Sequence, residues 1–298
     1  MRRLSDAMPR ATVCLSYDFD AVSLWLHSFG AMDSPTEHSR GIYGAEVGAP
    51  RILDLHDRLD LPATWFIPGH TIESFPDISG EVWERGYDIQ HHGYTHTNPA
   101  SFESKEAERE DIERAYDSIV NLTGRKPTGY RSPAWDFSDH TLDIIQDLGF
   151  EWDSSQMGND FSPYYLREGW EAPVNDPYDP GTETDILEFP VSWDRDDFPP
   201  LSFVWGETIL PGFADESSLF GMWQDQFDWM YEHLDKGVYL LTMHPQVIGQ
   251  PPRMSRLERL ITHMQSKPGV EFRTIDAVAN EYKSGERSQP IPQPIPAD

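Results

Sequence analysis

Residues 87–99, YDIQHHGYTHTNP, decide how this chain is read, because they place three of its eleven histidines within six residues. The first part, YDIQH, has the pattern of a short strand. The second part carries Gly93 and the pair Asn98-Pro99, which end strands and start turns. His91, His92 and His96 therefore stand where a strand stops. Either they are solvated surface residues, or two of them point at one ion and other segments supply the missing ligands.

Working outward, TVCLSY (12–17) and ATWFI (63–67) read as two further strands, and VYLLTMH (238–244) and EFRTI (271–275) as later ones. Helical patterns lie between them. Pro50 opens RILDLHDRL, with Ile52, Leu55 and Leu59 on one face. Ala107, Ile112, Ala115, Tyr116, Ile119 and Val120 mark a long acidic helix closed by Gly124 and Pro127. Ser138 is placed to cap a helix carrying Leu142, Ile145 and Leu148, which Gly149 stops. Met222, Trp223, Phe227, Met230 and Leu234 form another helix, and Met254, Leu257, Ile261 and Met264 one more. Strands alternating with helices imply parallel strands with helices outside, as a barrel or a doubly wound sheet. Sites in such folds lie beyond the C-terminal ends of the strands, where the histidines stand. Residues 157–205 lack periodicity and are expected to be long loops around the site.

Composition narrows the partners. The 298 residues carry 51 acidic against 23 basic side chains, five of the latter Lys, for a net charge of −28. Such a surface repels nucleic acid and anionic membranes, and it fits either an acidic cytosolic protein or one living in high salt. A single cysteine, Cys14, excludes an internal disulfide framework and reads as a core filler inside the first strand. MRRLSDAMPRA at the N-terminus has no apolar export core, and no run approaches a membrane span, so a cytoplasmic location is expected. RSQPIPQPIPAD at the C-terminus reads as an extended tail. The expected organisation is one catalytic domain over 1–283 and a Pro-rich tail over 284–298.

Three strand ends supply chemistry. The first runs into SYDFDA, with Asp18 and Asp20 on one strand face if the strand stays regular; the third into HHGYTH; a later one into TMHP with His244. One carboxylate and two imidazoles form a common ligand set for a catalytic divalent ion. Each element by itself is weak, since a solvated Asp-x-Asp or a structural His before Pro is ordinary. No Glu follows the first histidine, so the H-E-x-x-H motif is absent.

Together these stretches resemble the polysaccharide deacetylase family (carbohydrate esterase family 4, the NodB-homology domain) from about residue 12 to 282. Beyond SYDFDA and HHGYTHTNP, the resemblance rests on SLWL, SRGIYGAEVGAPRIL, PATWFIPGHTIESFP, GYRSPAW, LEFPVSWDRDD and LLTMHPQVIG. The residue inserted between the two acids is similar to the branch holding intracellular peptidoglycan-deacetylase-like proteins and cyclic imide hydrolases. The resemblance implies an α/β fold, a distorted (β/α)7-type barrel. It implies Asp18 as general base, Asp20, His92 and His96 as ligands of one divalent ion (zinc first; cobalt, manganese or nickel also), and His244 as general acid. Arg131 would orient the base, with one of Asp194, Asp196 and Asp197 as its partner; Pro133, Trp135 and Trp193 would contact substrate. His91 is left without a role.

The function expected is hydrolysis of a non-peptide carbon–nitrogen bond. A small cyclic imide stands first, an N-acetyl sugar or peptidoglycan second, and a non-catalytic sugar-binding module third. The aromatic loops and the absent export signal favour the small substrate, and a homo-oligomer is expected.

Overall fold

The computed structural model describes residues 9–205, 209–212 and 214–292. Its strands are β1 (Ala11–Asp18), β2 (Thr64–Ile67), β3 (Asp88–His91), β4 (Gly129–Tyr130), β5 (Trp152–Asp153), β6 (Tyr164–Glu168), β7 (Thr182–Glu188), β8 (Leu234–Asp235), β9 (Gly237–Met243) and β10 (Val270–Phe272). All eight residues of β1 and all seven of β9 are buried, as expected of central parallel strands covered on both faces. They pair in parallel from Ala11↔Gly237 to Tyr17↔Met243. The other edge of β1 is shared, with β10 beside Ala11–Val13 and β2 beside Ser16–Asp18.

From β9 the parallel order runs through β1, β2, β3, β4 and β5 to β7. A single parallel bridge, Asp196↔Thr242, then returns the chain to β9 and curls the sheet into an incomplete barrel. These seven parallel strands form the distorted (β/α)7 arrangement, with β6 antiparallel on β7. Helices cover the outside. Lys105–Thr123 starts at Ser104, whose hydroxyl accepts from the Ala107 amide, and stops at Gly124 in the left-handed region. Gly129 is required for another reason, since a Cβ there would lie 2.1 Å from the Trp152 ring.

Several local expectations change. Residues 157–205 are not all loop: β6 and β7 form a hairpin with a bulge between Tyr165 and Arg167. The helix expected from Ser138 begins at Thr141, and Ser138 instead accepts from the His140 amide and donates to Glu108. EFRTI is strand only as far as Phe272, because the Thr274 hydroxyl accepts from the Ala277 amide and starts the helix Ile275–Ser284. The chain past that helix still packs, since Arg287 is buried and donates to Thr12, Glu271 and Glu281. Ile291–Pro292 pairs with β8, and the rest of the proposed tail, 293–298, lies outside the described residues, as do residues 1–8 of the N-terminal segment. Cys14 is buried in the core, and burial raises its thiol to about 12, as suits a core filler. No helix among the described residues is long and apolar enough to cross a membrane.

Candidate active site

β1 ends at Asp18, and the next residues leave the sheet. The Phe19 amide donates to the Phe66 carbonyl at 2.8 Å, and the Thr71 hydroxyl donates to the Asp20 carbonyl at 2.6 Å. Asp18 and Asp20 are thereby brought side by side in the barrel mouth, both essentially buried. β3 ends at His91, and Gly93 at φ +66° starts the turn that returns His96 toward His92. A Cβ on Gly93 would sit 2.9 Å from Pro133 Cγ, so glycine serves this close approach.

The expected ligand set converges. Asp20 Oδ1 lies 3.5 Å from both His92 Nε2 and His96 Nε2, and one ligand atom of each residue falls within 4.8 Å of the others. Both Asp20 oxygens and His92 Nε2 are buried with no hydrogen-bond partner. Buried polar atoms are rarely left so, and three of them facing one another fit a divalent cation. His92 Nδ1 is 2.8 Å from the Arg131 carbonyl, which takes its proton and leaves the Nε2 lone pair inward. Burial keeps His92 neutral, lowering it to about 4, the form a metal ligand needs. His91 points elsewhere: Nε2 donates to the Ile112 carbonyl and Nδ1 accepts from the Gly93 amide, tying β3 to its covering helix.

Asp18 is held differently. Arg131 Nη1 donates to Asp18 Oδ1 at 2.6 Å, and the guanidinium also donates to Ser16 Oγ, Ser154 O and Ser154 Oγ. Burial pushes the Asp18 carboxyl up, but Arg131, His92 and His244 outweigh it and hold the carboxyl below its ordinary value. None of Asp194, Asp196 and Asp197 hydrogen-bonds Arg131; Asp194 is exposed, and the other two face His244. The expected pairing is therefore corrected: the bridge from Asp196 to β9 carries Asp196 and Asp197 beside His244.

His244 follows β9. Asp197 Oδ1 accepts both from its backbone amide and from Nδ1, the latter at 2.8 Å. Nε2 faces the barrel mouth, 4.0 Å from Asp18 Oδ2 and 3.7 Å from Asp20 Oδ2. Burial opposes the imidazolium, yet Asp196 and Asp197 raise it to about 10, so His244 carries a proton at neutral pH.

A cavity of about 470 Å³ opens above these groups, lined by Asp18, His92, His96 and His244 at its base. Its walls include Leu24, Phe29, Phe198 and the stacked pair Trp135–Trp193, with ring centroids 4.4 Å apart. Ala134 and Trp135 adopt left-handed backbone (φ +57° and +51°), a strain of about 1–2 kcal/mol each at the point where Trp135 enters the wall. Pro133 is buried, packs against Gly93 and does not line this cavity. Ser16, Ser154, Leu24, Phe29 and Phe198 were not legible as site residues. The doubled Asp196-Asp197 of LEFPVSWDRDD was visible in the sequence, but it was expected to partner Arg131 rather than His244.

Comparison with known proteins agrees with this geometry. Residues 43–152 match the family described as polysaccharide deacetylase. The peptidoglycan deacetylase of Helicobacter pylori is 38% identical over 280 residues, covering 91% of this chain and 95% of that protein. A crystal structure from Mycobacterium smegmatis, assigned to the polysaccharide deacetylases, superposes with a TM-score of 0.82 at 27% identity, covering 97% of this chain and 96% of that one. Puue allantoinase shares the fold, with a TM-score of 0.74 at 21% identity over 94% and 92% of the two chains. With the full-length relative, the matching barrel and the acid–histidine cluster at its mouth, the chain belongs to the polysaccharide deacetylase family.

Proposed function

We propose that this hydrolase removes the acetyl group from an N-acetylated amino sugar, with Asp18 as general base and His244 as general acid. The observation that carries the reading is the approach of a carboxylate and an imidazole, Asp18 Oδ2 and His244 Nε2 at 4.0 Å, beside the Asp20–His92–His96 cluster. Asp20, His92 and His96 would hold a divalent cation, which when bound supplies Lewis-acid polarisation of the amide carbonyl and a lower pKa for attacking water. Asp18, kept ionised by Arg131, takes the proton of the water that adds to the carbonyl carbon. His244, kept charged by Asp197, delivers its proton to the departing nitrogen as the C–N bond breaks, giving acetate and a free amine. Trp135 and Trp193 offer an apolar face for a sugar ring or an acetyl methyl.

The peptidoglycan deacetylase similarity moves the N-acetyl sugar ahead of the small imide that the sequence favoured. The imide remains a second reading on one observation, the apolar cavity walls of Leu24, Phe29, Phe198 and the stacked tryptophans, which suit a small planar ring. Acetate release from chitooligosaccharides and peptidoglycan fragments, run beside ring opening of cyclic imides with Zn²⁺, Co²⁺ and Mn²⁺, separates the two. Imide opening without acetate release overturns the deacetylase reading. No turnover in either panel, with metal bound, returns the chain to a binding module.

A further inference from the structure

We propose that Ser28 is a positioning residue for His96, fixing the imidazole in the tautomer that carries its proton on Nδ1 and leaves Nε2 free for a cation. The inference rests on the reading of Asp20, His92 and His96 as metal ligands. Ser28 Oγ lies 2.6 Å from the His96 carbonyl and 2.7 Å from His96 Nδ1. A hydroxyl has one proton, and a carbonyl can only accept, so that proton goes to the His96 carbonyl. Toward Nδ1 the same oxygen must then accept, which requires the ring proton on Nδ1. The opposite tautomer would put an N–H at Nε2, 3.5 Å from Asp20 Oδ1, in the space a cation needs.

The sequence around Ser28 prepares this contact. Leu24–Ser28 is a single π-helical turn, closed by the Phe29 amide on the Leu24 carbonyl, a conformation often found at functional sites. His96 sits at φ +54°, a left-handed conformation unusual for a non-glycine residue. One serine therefore grips both the backbone and the ring of a residue in strained geometry. Leu24, Ser28 and Phe29 also line the cavity, so the turn that shapes the substrate wall is the turn that orients a ligand. His92 obtains the same tautomer from the Arg131 carbonyl and makes an internal control.

The test reads the tautomer and metal affinity, not turnover. Long-range ¹H–¹⁵N spectra of metal-free protein should show His96 protonated on Nδ1, and Ser28→Ala should shift it toward Nε2 while His92 stays unchanged. Zinc titration by calorimetry should give affinity about 10–100-fold weaker in Ser28→Ala. Ser28→Thr, which keeps the hydroxyl, should recover most of the loss. An Nε2-protonated His96 in the wild type overturns the proposal even if the alanine variant fails to fold. Zinc affinity within threefold of wild type in folded Ser28→Ala overturns it while sparing the ligand set. A wild-type chain that binds no zinc sinks the ligand reading and this proposal with it.

Discussion

Replacing Arg131 with methionine tests the electrostatic frame of the site. Arg131 is fully buried, bonds Asp18 at 2.6 Å and packs with its guanidinium carbon 3.9 Å from the Phe66 ring centre. Methionine keeps most of the volume and the apolar contact but strands Asp18 as a buried carboxylate without its cation. Breaking one side of a buried pair costs about 3–5 kcal/mol. The abandoned Ser154 carbonyl adds part of a further ~1–3 kcal/mol, lessened by whatever water enters. A loss of about 4 kcal/mol is therefore expected, near 10³-fold in the folding constant. Against a typical total of about 5–15 kcal/mol the protein should still fold in the cold. In urea, with a slope near 3 kcal/mol/M, the midpoint should fall by roughly 1.3 M. The decisive measurement adds Asp18→Asn to the methionine variant. If the cost is an uncompensated charge, the second change should restore about 1–2 kcal/mol, although alone it destabilises the native protein. A loss below about 1 kcal/mol in Arg131→Met, or further destabilisation in the double variant, would refute the reasoning.

Other expectations follow from single features. Asp20→Ala should abolish stoichiometric zinc binding, measured by metal analysis after dialysis; full occupancy would remove Asp20 from the ligand set. Asp197→Asn should retain zinc yet slow turnover about 10²-fold or more, because His244 loses the carboxylate that keeps it protonated; an unchanged rate would leave Asp197 a structural cap. Burial and the facing Asp153 carboxyl hold Glu188 well above its ordinary pKa, so the folded state keeps a proton that the unfolded chain releases. Stability therefore falls as pH rises above the ordinary glutamate value, and Glu188→Gln should gain on the wild type as pH rises from there; a pH-independent difference in melting temperature would contradict this. With a net charge of −28, molar KCl should raise the melting temperature by screening carboxylate repulsion, and a flat profile would mean that the charges are locally compensated.

The sequence by itself determined the ends of the strands that carry the site, and what chemistry stands there. β1 and β9 were legible because both are mostly apolar, β-rich runs, buried on both faces, and the helix over Lys105–Thr123 because its caps and period are local. Asp18, Asp20, His92, His96 and His244 were legible because each stands at or just past the end of a strand pattern. Local periodicity records which face is buried, not which distant residue lies across it. β4 and β5 have two residues each, too few for any period, and only pairing with their neighbours makes them strands. Arg131 meets Asp18 across 113 residues of chain, and His244 meets Asp197 across 47, contacts that exist only once the barrel curls. The resemblance already named His92 rather than His91, but the physical reason for that choice is tertiary. Adjacent residues at a strand end face opposite sides, and only the packed helix behind β3, which receives the His91 proton, shows which side is the site.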